Sequence, residues 1–239
     1  QVISFCLFGF IAIFLLFKLN YVSLELPKTS EMLDSLKFGV PLIPHILGMY
    51  VLTTIDRVII NNKLGLDNAG VYMLAYQLSL VAYMVFDALN KAYVPWLYEK
   101  LKRNNAGEKK SIVKQTYQYF VFLFIISLLM FPIIPFLVDF IVGENFKGVG
   151  NIVRWILIGQ VFVGMYLMVV NYIFYSKDTR LLSMITIFSG GFHIGLTVIL
   201  VDYFGLIGVA YAFSIAMFIR FLLTWFVAMK KFKMPWFSF

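Results

Sequence analysis

Seven long apolar runs, separated by short loops, constrain the fold of this chain of 239 residues more than any other feature. They lie near residues 2–17, 38–60, 70–94, 117–142, 152–175, 181–201 and 205–229. A helix of about 20 apolar residues crosses the hydrocarbon core of a bilayer. Because backbone groups in lipid must find hydrogen-bond partners within the protein, such runs are expected to be helical. The runs therefore predict an all-α integral membrane protein.

The composition agrees with this class, since 62% of the residues are hydrophobic and only 13% are charged. A soluble domain of this size does not need so much apolar surface. The formal net charge of +8 does not indicate a nucleic-acid partner, because the basic residues flank the apolar runs and no binding module is present in the sequence. The one cysteine, Cys6, excludes an intrachain disulfide framework, and no metal-ligand spacing or catalytic motif occurs.

The Lys and Arg content of the loops alternates along the chain and predicts its orientation. Segment 91–114, after the third run, carries seven basic residues, whereas the loop at 202–204 carries none. By the positive-inside rule, the loops after the first, third, fifth and seventh runs are cytoplasmic. We therefore expect a multi-pass membrane protein whose C-terminus is cytoplasmic.

Two architectures fit this topology. A self-contained seven-helix protein with an external N-terminus is one of them, although its last run has no Lys for a retinal Schiff base. The architecture that we favour is a six-helix transmembrane bundle in residues 38–239. Residues 1–37 would then be the last helix of a preceding bundle, entered part-way along the helix, and its cytoplasmic linker.

Residues 38–77 carry a family resemblance, and they read FGVPLIPHILGMYVLTTIDRVIINNKLGLDNAGVYMLAYQ. The features are Gly39-x-Pro41, the Asp56-Arg57 pair, Gly65 in a short loop and Gly70-x-Tyr72 at the next helix start. This segment resembles the start of the C-terminal half of bacterial polysaccharide exporters, the O-antigen flippases of the multidrug/oligosaccharidyl-lipid/polysaccharide exporter superfamily. The basic linker after the third run and the SKDTR turn at 176–180 extend the resemblance.

The resemblance implies a twelve-helix exporter of two six-helix bundles, of which this chain is the C-terminal half plus one preceding partial helix. It implies a transporter, with no enzyme activity and no cofactor, that flips a lipid-linked oligosaccharide for O-antigen, lipopolysaccharide or another surface polysaccharide. The implied partners are an undecaprenyl-diphosphate-linked glycan, the bilayer, the missing N-terminal bundle and the polysaccharide polymerase machinery. A multidrug/cation antiporter of the same superfamily is the first alternative.

A polar and aromatic stripe on the third run is the main candidate for the substrate pathway. It comprises Tyr72, Tyr76, Tyr83, Asp87 and Lys91, with Asn90 at its edge. Aromatic rings stack on sugar faces, and carboxylate and amide groups bond sugar hydroxyls, so the stripe suits a glycan. Alternatively, Asp87 and Lys91 neutralise each other at i and i+4. The fifth run adds a second polar face, with Gln160 and Asn171.

Arg220 is the most unusual residue of the last run, because it lies about 15 Å from the inner helix end at Lys230. A charge at that depth is costly unless it meets a carboxylate, water or an anionic ligand. A guanidinium binds phosphate in a bidentate fork. Arg220 is thus a candidate for contact with the diphosphate, and a structural ion pair is the alternative.

The second run is expected to break near Pro41 and Pro44. His45, Asp56 and Arg57 follow as candidates for ion coupling or for an ion pair, and Asp56 and Arg57 could also anchor the helix at the interface. Coupling to a proton or sodium gradient would use Asp56 or Asp87. A third functional class, an integral-membrane acyltransferase, is motivated by His45 and His193.

Overall fold

A computed structural model of the chain describes residues 2–21, 28–143, 146, 148–177 and 179–237. Eight helices and no strand are present over these ranges, which confirms the all-α prediction. The chain divides into two compact units, residues 1–37 and residues 38–239. Asp178, within the SKDTR turn, lies outside the described residues.

The first unit contains α1, Val2–Lys18, and most of α2, Thr29–Gly39. The described side chains of α1, from Ser4 onward, are all exposed, as expected for a helix whose surroundings are lipid or further protein. Glu31 lies in the first turn of α2, where its carboxylate accepts a hydrogen bond from the backbone N–H of Lys28. An acidic group at this position also interacts favourably with the helix dipole.

The second unit contains the remaining six helices. They are α3, Leu42–Leu64; α4, Leu66–Arg103; α5, Ala106–Met130; α6, Ile134–Val142; α7, Val149–Tyr175; and α8, Arg180–Lys231. Five helical stretches among the described residues are long and apolar enough to cross a membrane: Thr29–Leu64, α4, α5, α7 and α8. The chain is a multi-pass membrane protein.

Two of the predicted runs are divided at prolines, and the break in the second run was expected. The second run is interrupted between the end of α2 at Gly39 and the start of α3 at Leu42, with Pro41 capping α3. The fourth run, which contains Pro132 and Pro135, is divided into α5 and α6 by a turn at 131–133. Proline removes a backbone donor and clashes with the preceding turn, so both breaks follow from the sequence.

Helix α8 is a hairpin of two antiparallel segments that meet at Gly205, where φ is 59° and ψ is −140°. Glycine takes up this backbone conformation without steric cost. The chain folds back so far that the rings of His193 and Phe213 lie 6.2 Å apart. Gly208 packs so closely on the first segment that a Cβ atom there would lie 2.1 Å from the carbonyl oxygen of Leu200. The segments, 180–204 and 206–231, correspond to the sixth and seventh runs.

Helix α7 is the central element of the second unit, since it contacts α4, α5, α6 and α8. Its close approach to α8 depends on Gly159, where a Cβ atom would lie 2.5 Å from the ring of Phe213. The hydroxyl of Ser214 donates to the carbonyl of Trp155 across the same contact, at 2.5 Å. Small residues and interhelical hydrogen bonds hold membrane helices together where lipid removes the hydrophobic driving force.

The basic segment after the third run is more helical than the apolar pattern predicts. Helix α4 continues past residue 94 to Arg103, and α5 begins at Ala106, so only a tight turn separates them. Asn105 caps α5 by accepting hydrogen bonds from the N–H groups of Gly107 and Glu108. The Lys100 ammonium and the Glu108 carboxylate lie 2.8 Å apart and join the two helix ends. The segment predicted to be a linker therefore consists of the C-terminal end of α4 and the N-terminal end of α5.

Candidate functional site

A cavity of about 330 Å³ lies within the second unit, among α3, α4, α7 and α8. Its polar and charged lining comes from Thr53, Thr54, Arg57, Gln160 and Arg220, with the phenols of Tyr50, Tyr76 and Tyr83. No carboxylate is among the described residues that line it, so both of its charged groups are guanidinium ions. The cavity thus has a net positive lining with an aromatic wall.

Arg220 is buried, with 1% of its surface exposed. Its guanidinium carbon lies 3.9 Å from the centre of the Tyr166 ring on α7, a cation–π contact. None of its three side-chain nitrogens has a hydrogen-bond partner among the described residues. A guanidinium carries five N–H donors, and leaving buried donors without acceptors is costly in free energy. The arrangement provides a donor set that an anionic ligand could satisfy.

Neutral polar groups surround the two arginines. Gln160, on α7, is buried, and Tyr76, on α4, packs edge-to-face on Phe213 with ring centres 5.8 Å apart. Tyr83 lies about two turns further along α4 and is partly exposed. Phenol and amide groups can donate and accept hydrogen bonds, and ring faces can stack on sugars. The cavity therefore combines an anion site with groups suited to hydroxylated ligands.

Asp56 lies outside this lining, in a separate buried cluster that joins α3, α4 and α8. Its Oδ1 is 2.8 Å from Nε2 of His193 and accepts from the hydroxyl of Thr197 at 3.4 Å. Its Oδ2 accepts from the hydroxyl of Tyr72 at 2.9 Å. Asp56 is 2% exposed and His193 is 0% exposed. The structure thus places Asp56 in an interhelical pair, one of the two structural roles considered from the sequence.

His45 makes a second buried contact between α3 and α8. Its Nδ1 is 2.5 Å from Oγ1 of Thr186, whose hydroxyl donates to the carbonyl of Leu182 at 2.9 Å. A threonine hydroxyl has one proton to donate. We therefore assign the proton of this contact to Nδ1 of His45, which donates to Thr186.

The C-terminal part of the predicted polar stripe, formed by Asp87, Asn90 and Lys91, does not line the cavity. The carboxylate of Asp87 and the ammonium of Lys91 lie 2.7 Å apart, and the Lys91 side chain is 76% exposed. Asn90 accepts a hydrogen bond from the amide of Asn171 at 2.8 Å, which links α4 to α7. The cavity thus brings together Arg57, Tyr76, Tyr83, Gln160 and Arg220, while the other candidates bond elsewhere.

Tyr166 is the site residue that sequence reasoning missed. It supports the guanidinium of Arg220 although 54 positions separate the two residues in the chain. Tyr166 does not share the polar face of α7 that Gln160 and Asn171 define, so no spacing rule singles it out. Only the packing of α7 on α8 reveals the contact.

The amino-terminal part of the chain, residues 1–101, matches the family described as polysaccharide biosynthesis protein. Over 158 residues the chain is 33% identical to a protein of the Lsg locus of Haemophilus influenzae, an alignment that covers 64% of this chain and 38% of the relative. The chain is thus similar to the polysaccharide biosynthesis family over its first 101 residues. The matched residues include segment 38–77, so the resemblance predicted from that segment is confirmed.

A second relative is an uncharacterized membrane protein of the same organism. It is 29% identical over 169 residues, which cover 67% of this chain and 39% of the relative. The matched part of the chain thus spans less than half the length of either relative. No solved structure matches the chain.

Proposed function

We propose that this chain is part of a polysaccharide exporter that flips a lipid-linked oligosaccharide, an undecaprenyl-diphosphate repeat unit, from the cytoplasmic to the external leaflet of a bacterial inner membrane. The observation that carries the proposal is Arg220, a buried guanidinium without a hydrogen-bond partner among the described residues, at a cavity that also holds Arg57. Substrates of this class carry a diphosphate between lipid and sugar. The diphosphate oxygens would accept hydrogen bonds from the N–H groups of Arg220.

The neutral lining suits the sugar next to the diphosphate. Tyr76 and Tyr83 offer ring faces and hydroxyls, and Gln160 offers an amide. A volume of about 330 Å³ is at the small end of ligand pockets, so it would hold the diphosphate and a neighbouring sugar while the lipid tail stays in the bilayer. A preceding bundle would complete the passage, and the two would move by alternating access. The greater length of both relatives supports such a partner.

The lining charge also bears on the antiporter alternative. A cavity for organic cations would be expected to present a carboxylate, whereas the charged groups here are two arginines. The acyltransferase alternative is weakened because His45 contacts Thr186 and His193 contacts Asp56, both in buried helix contacts. Proton or sodium coupling through Asp56 or Asp87 stays part of the proposal, as does a contact with the polymerase machinery.

Export by matched arginine variants tests the proposal. The chain would be expressed in a strain that lacks its flippase, together with the N-terminal half of a full-length relative. We expect Arg220→Gln to lower surface polysaccharide by about tenfold or more, since hydrogen bonds to a charged group contribute about 1.5–3 kcal/mol each. Arg220→Lys keeps the charge but not the bidentate geometry of the guanidinium, so we expect an intermediate amount of surface polysaccharide. The control is Arg180→Gln, an exposed arginine at the start of α8.

Immunoblots of the membrane fraction would separate function from folding. The proposal predicts normal abundance of Arg220→Gln, with accumulation of the lipid-linked repeat unit in the cytoplasmic leaflet. Export equal to that of the parent protein, or a loss that matches a loss of folded protein, would contradict it. Complementation by the 239 residues without any N-terminal half would refute the proposed second bundle.

The proposed orientation has its own test. Asn105 lies in the exposed turn between α4 and α5, and Asp202 is exposed near the tip of the α8 hairpin, paired with Lys63 at 2.5 Å. In a Cys6→Ser background, Asn105→Cys should be labelled by a membrane-impermeant maleimide only from the cytoplasmic side. Asp202→Cys should be labelled only from outside. Labelling of both positions from one side would overturn the topology.

A further inference from the structure

A second cavity, of about 270 Å³, lies in the second unit among α4, α5 and α7. Apart from Ser127 and Arg154, the described side chains that line it are apolar. Ser127 does not point to a polar ligand, because its hydroxyl donates to the carbonyl of Phe124 in its own helix at 2.8 Å. The cavity is therefore an apolar groove, named here the α4–α7 groove, with a single charged residue among the described residues that line it.

That residue, Arg154, has no carboxylate partner among the described residues. Its guanidinium carbon lies 4.8 Å from the centre of the Phe131 ring, and its Nε is buried without a hydrogen-bond partner in the described part of the chain. The carboxylate of Asp139, on α6, accepts instead from the N–H groups of Gly148 and Gly150, at 3.3 Å each. The positive charge of Arg154 is thus available to an anion.

The geometry of α7 places the charge at one end of the groove. Arg154 lies five residues after the start of α7, about 7.5 Å along its axis. Leu157, Ile158 and Val161 follow at i+3, i+4 and i+7 and line the same groove. The apolar wall therefore runs from the guanidinium toward the middle of the helix. Across the groove, Val85 and Ile126 are exposed, so the groove is open at the surface of the second unit.

We propose that the α4–α7 groove binds an anionic phospholipid, with its phosphate on Arg154 and one acyl chain along the apolar wall. An amphiphile with one anionic end is complementary to a groove with one cationic end. A soluble anion would leave the apolar wall uncovered, and an uncharged lipid would leave the guanidinium without a partner. The bound chain would fill the space between α5 and its neighbours.

Retained lipid and photo-crosslinking test this site in the purified full chain. The chain would be reconstituted with equal amounts of phosphatidylglycerol and phosphatidylcholine and then examined by native mass spectrometry. We expect retained phosphatidylglycerol to exceed phosphatidylcholine, and Arg154→Gln to lower this preference by about fivefold, the effect of one basic residue at an anionic surface. Arg154→Lys should keep most of the preference, and Arg180→Gln should leave it unchanged.

A phosphatidylglycerol with a photoreactive acyl chain locates the lipid. Crosslinks should map to Val85 and to residues 157–161, and Ser127→Trp, which fills the groove, should abolish them. The folding of Ser127→Trp is checked by thermal unfolding, and if this variant is destabilised, Val85→Phe replaces it. Equal retention of the two lipids, crosslinks that neither variant reduces, or a disulfide between two copies through Val85→Cys would overturn the proposal. The assay measures binding, so its outcome is independent of whether the protein exports a glycan.

Discussion

Two buried charged residues of the same bundle, Asp56 and Arg220, differ in their hydrogen-bond partners. Asp56 accepts hydrogen bonds from Tyr72 and Thr197 and is paired with His193, so its carboxylate is fully engaged by α4 and α8. Arg220 is equally buried, yet its guanidinium has a ring face as its neighbour and no acceptor among the described residues. Asp56 therefore has its partners within the chain, whereas Arg220 has no hydrogen-bond partner in the part of the chain that the structure describes.

This difference separates a structural role from a binding role. A charge in the membrane interior is costly, and a protein can offset the cost with internal partners or leave the group for a ligand. The Asp56 cluster connects three helices, so its loss should damage folding. We expect Arg220 to lower the stability of the protein without a ligand and to matter for transport, because an anion would supply the acceptors that the described residues do not.

The largest expected change in stability is at Asp56. Replacement by Ala leaves the polar groups of Tyr72 and His193 buried without their acceptor. We expect Asp56→Ala to lower the free energy of unfolding by about 2–5 kcal/mol, since three interhelical contacts are lost at about 0.6–1.7 kcal/mol each. Unfolding in mixed SDS micelles measures the change. Asp202→Ala, which removes an exposed carboxylate, is the control and should have no measurable effect.

The next largest change should have the opposite sign. Arg220→Met removes a buried charge without an acceptor and keeps a long side chain against Tyr166. By analogy with the replacement of other buried charges, we expect the free energy of unfolding to rise by about 1–3 kcal/mol while export is lost. The same SDS titration and a surface polysaccharide assay check the two effects. If Arg220→Met destabilised the protein as much as Asp56→Ala, the proposed contrast between the sites would be wrong.

A smaller effect is expected at the contact between α4 and α7. Asn90→Ala removes the acceptor of the Asn171 amide, which still donates to the carbonyl of Leu167 at 2.9 Å. The free energy of unfolding should fall by about 0.5–1 kcal/mol, and export should persist because neither amide lines the cavity. Asn62→Ala, at an exposed position near the end of α3, is the matched control. Loss of export at unchanged stability would instead place Asn90 on the pathway.

The smallest effect is expected at the Asp87–Lys91 pair. The Lys91 side chain is largely exposed, and such pairs contribute little to stability. Lys91→Ala should therefore leave both the unfolding midpoint in SDS and the surface polysaccharide unchanged within error. A clear loss of export in Lys91→Ala would instead indicate that Asp87 and Lys91 line the substrate pathway.

Much of the fold follows from local rules that act within single segments. The apolar runs predict the spans, Pro41 and Pro132 lie at helix breaks, and the loop before Gly205 predicts the hairpin of α8. The end of α4 was placed too early, near residue 94, because hydropathy detects only the part of a helix within hydrocarbon. Backbone hydrogen bonds continue α4 through the polar residues to Arg103.

The candidate site could be predicted only in part. Periodicity placed Tyr76 and Asp87 on one face of α4, and hydropathy singled out Arg220 as a charge within an apolar run. The structure divides that face between the cavity and the pair with Lys91. A helical face spans several turns, and each turn can meet a different neighbour, so a shared face does not imply a shared site.

The sequence by itself determined the membrane class, the family resemblance, the spans and the identity of the unusual polar residues, because hydropathy, proline and glycine act locally along the chain. Only the tertiary structure decided which of those residues meet. It paired Asp56 with His193, 137 positions away, and set Tyr166 against Arg220 without an acceptor among the described residues. Periodicity orients a side chain about its own helix axis, whereas its partner depends on which helices pack together and at what depth.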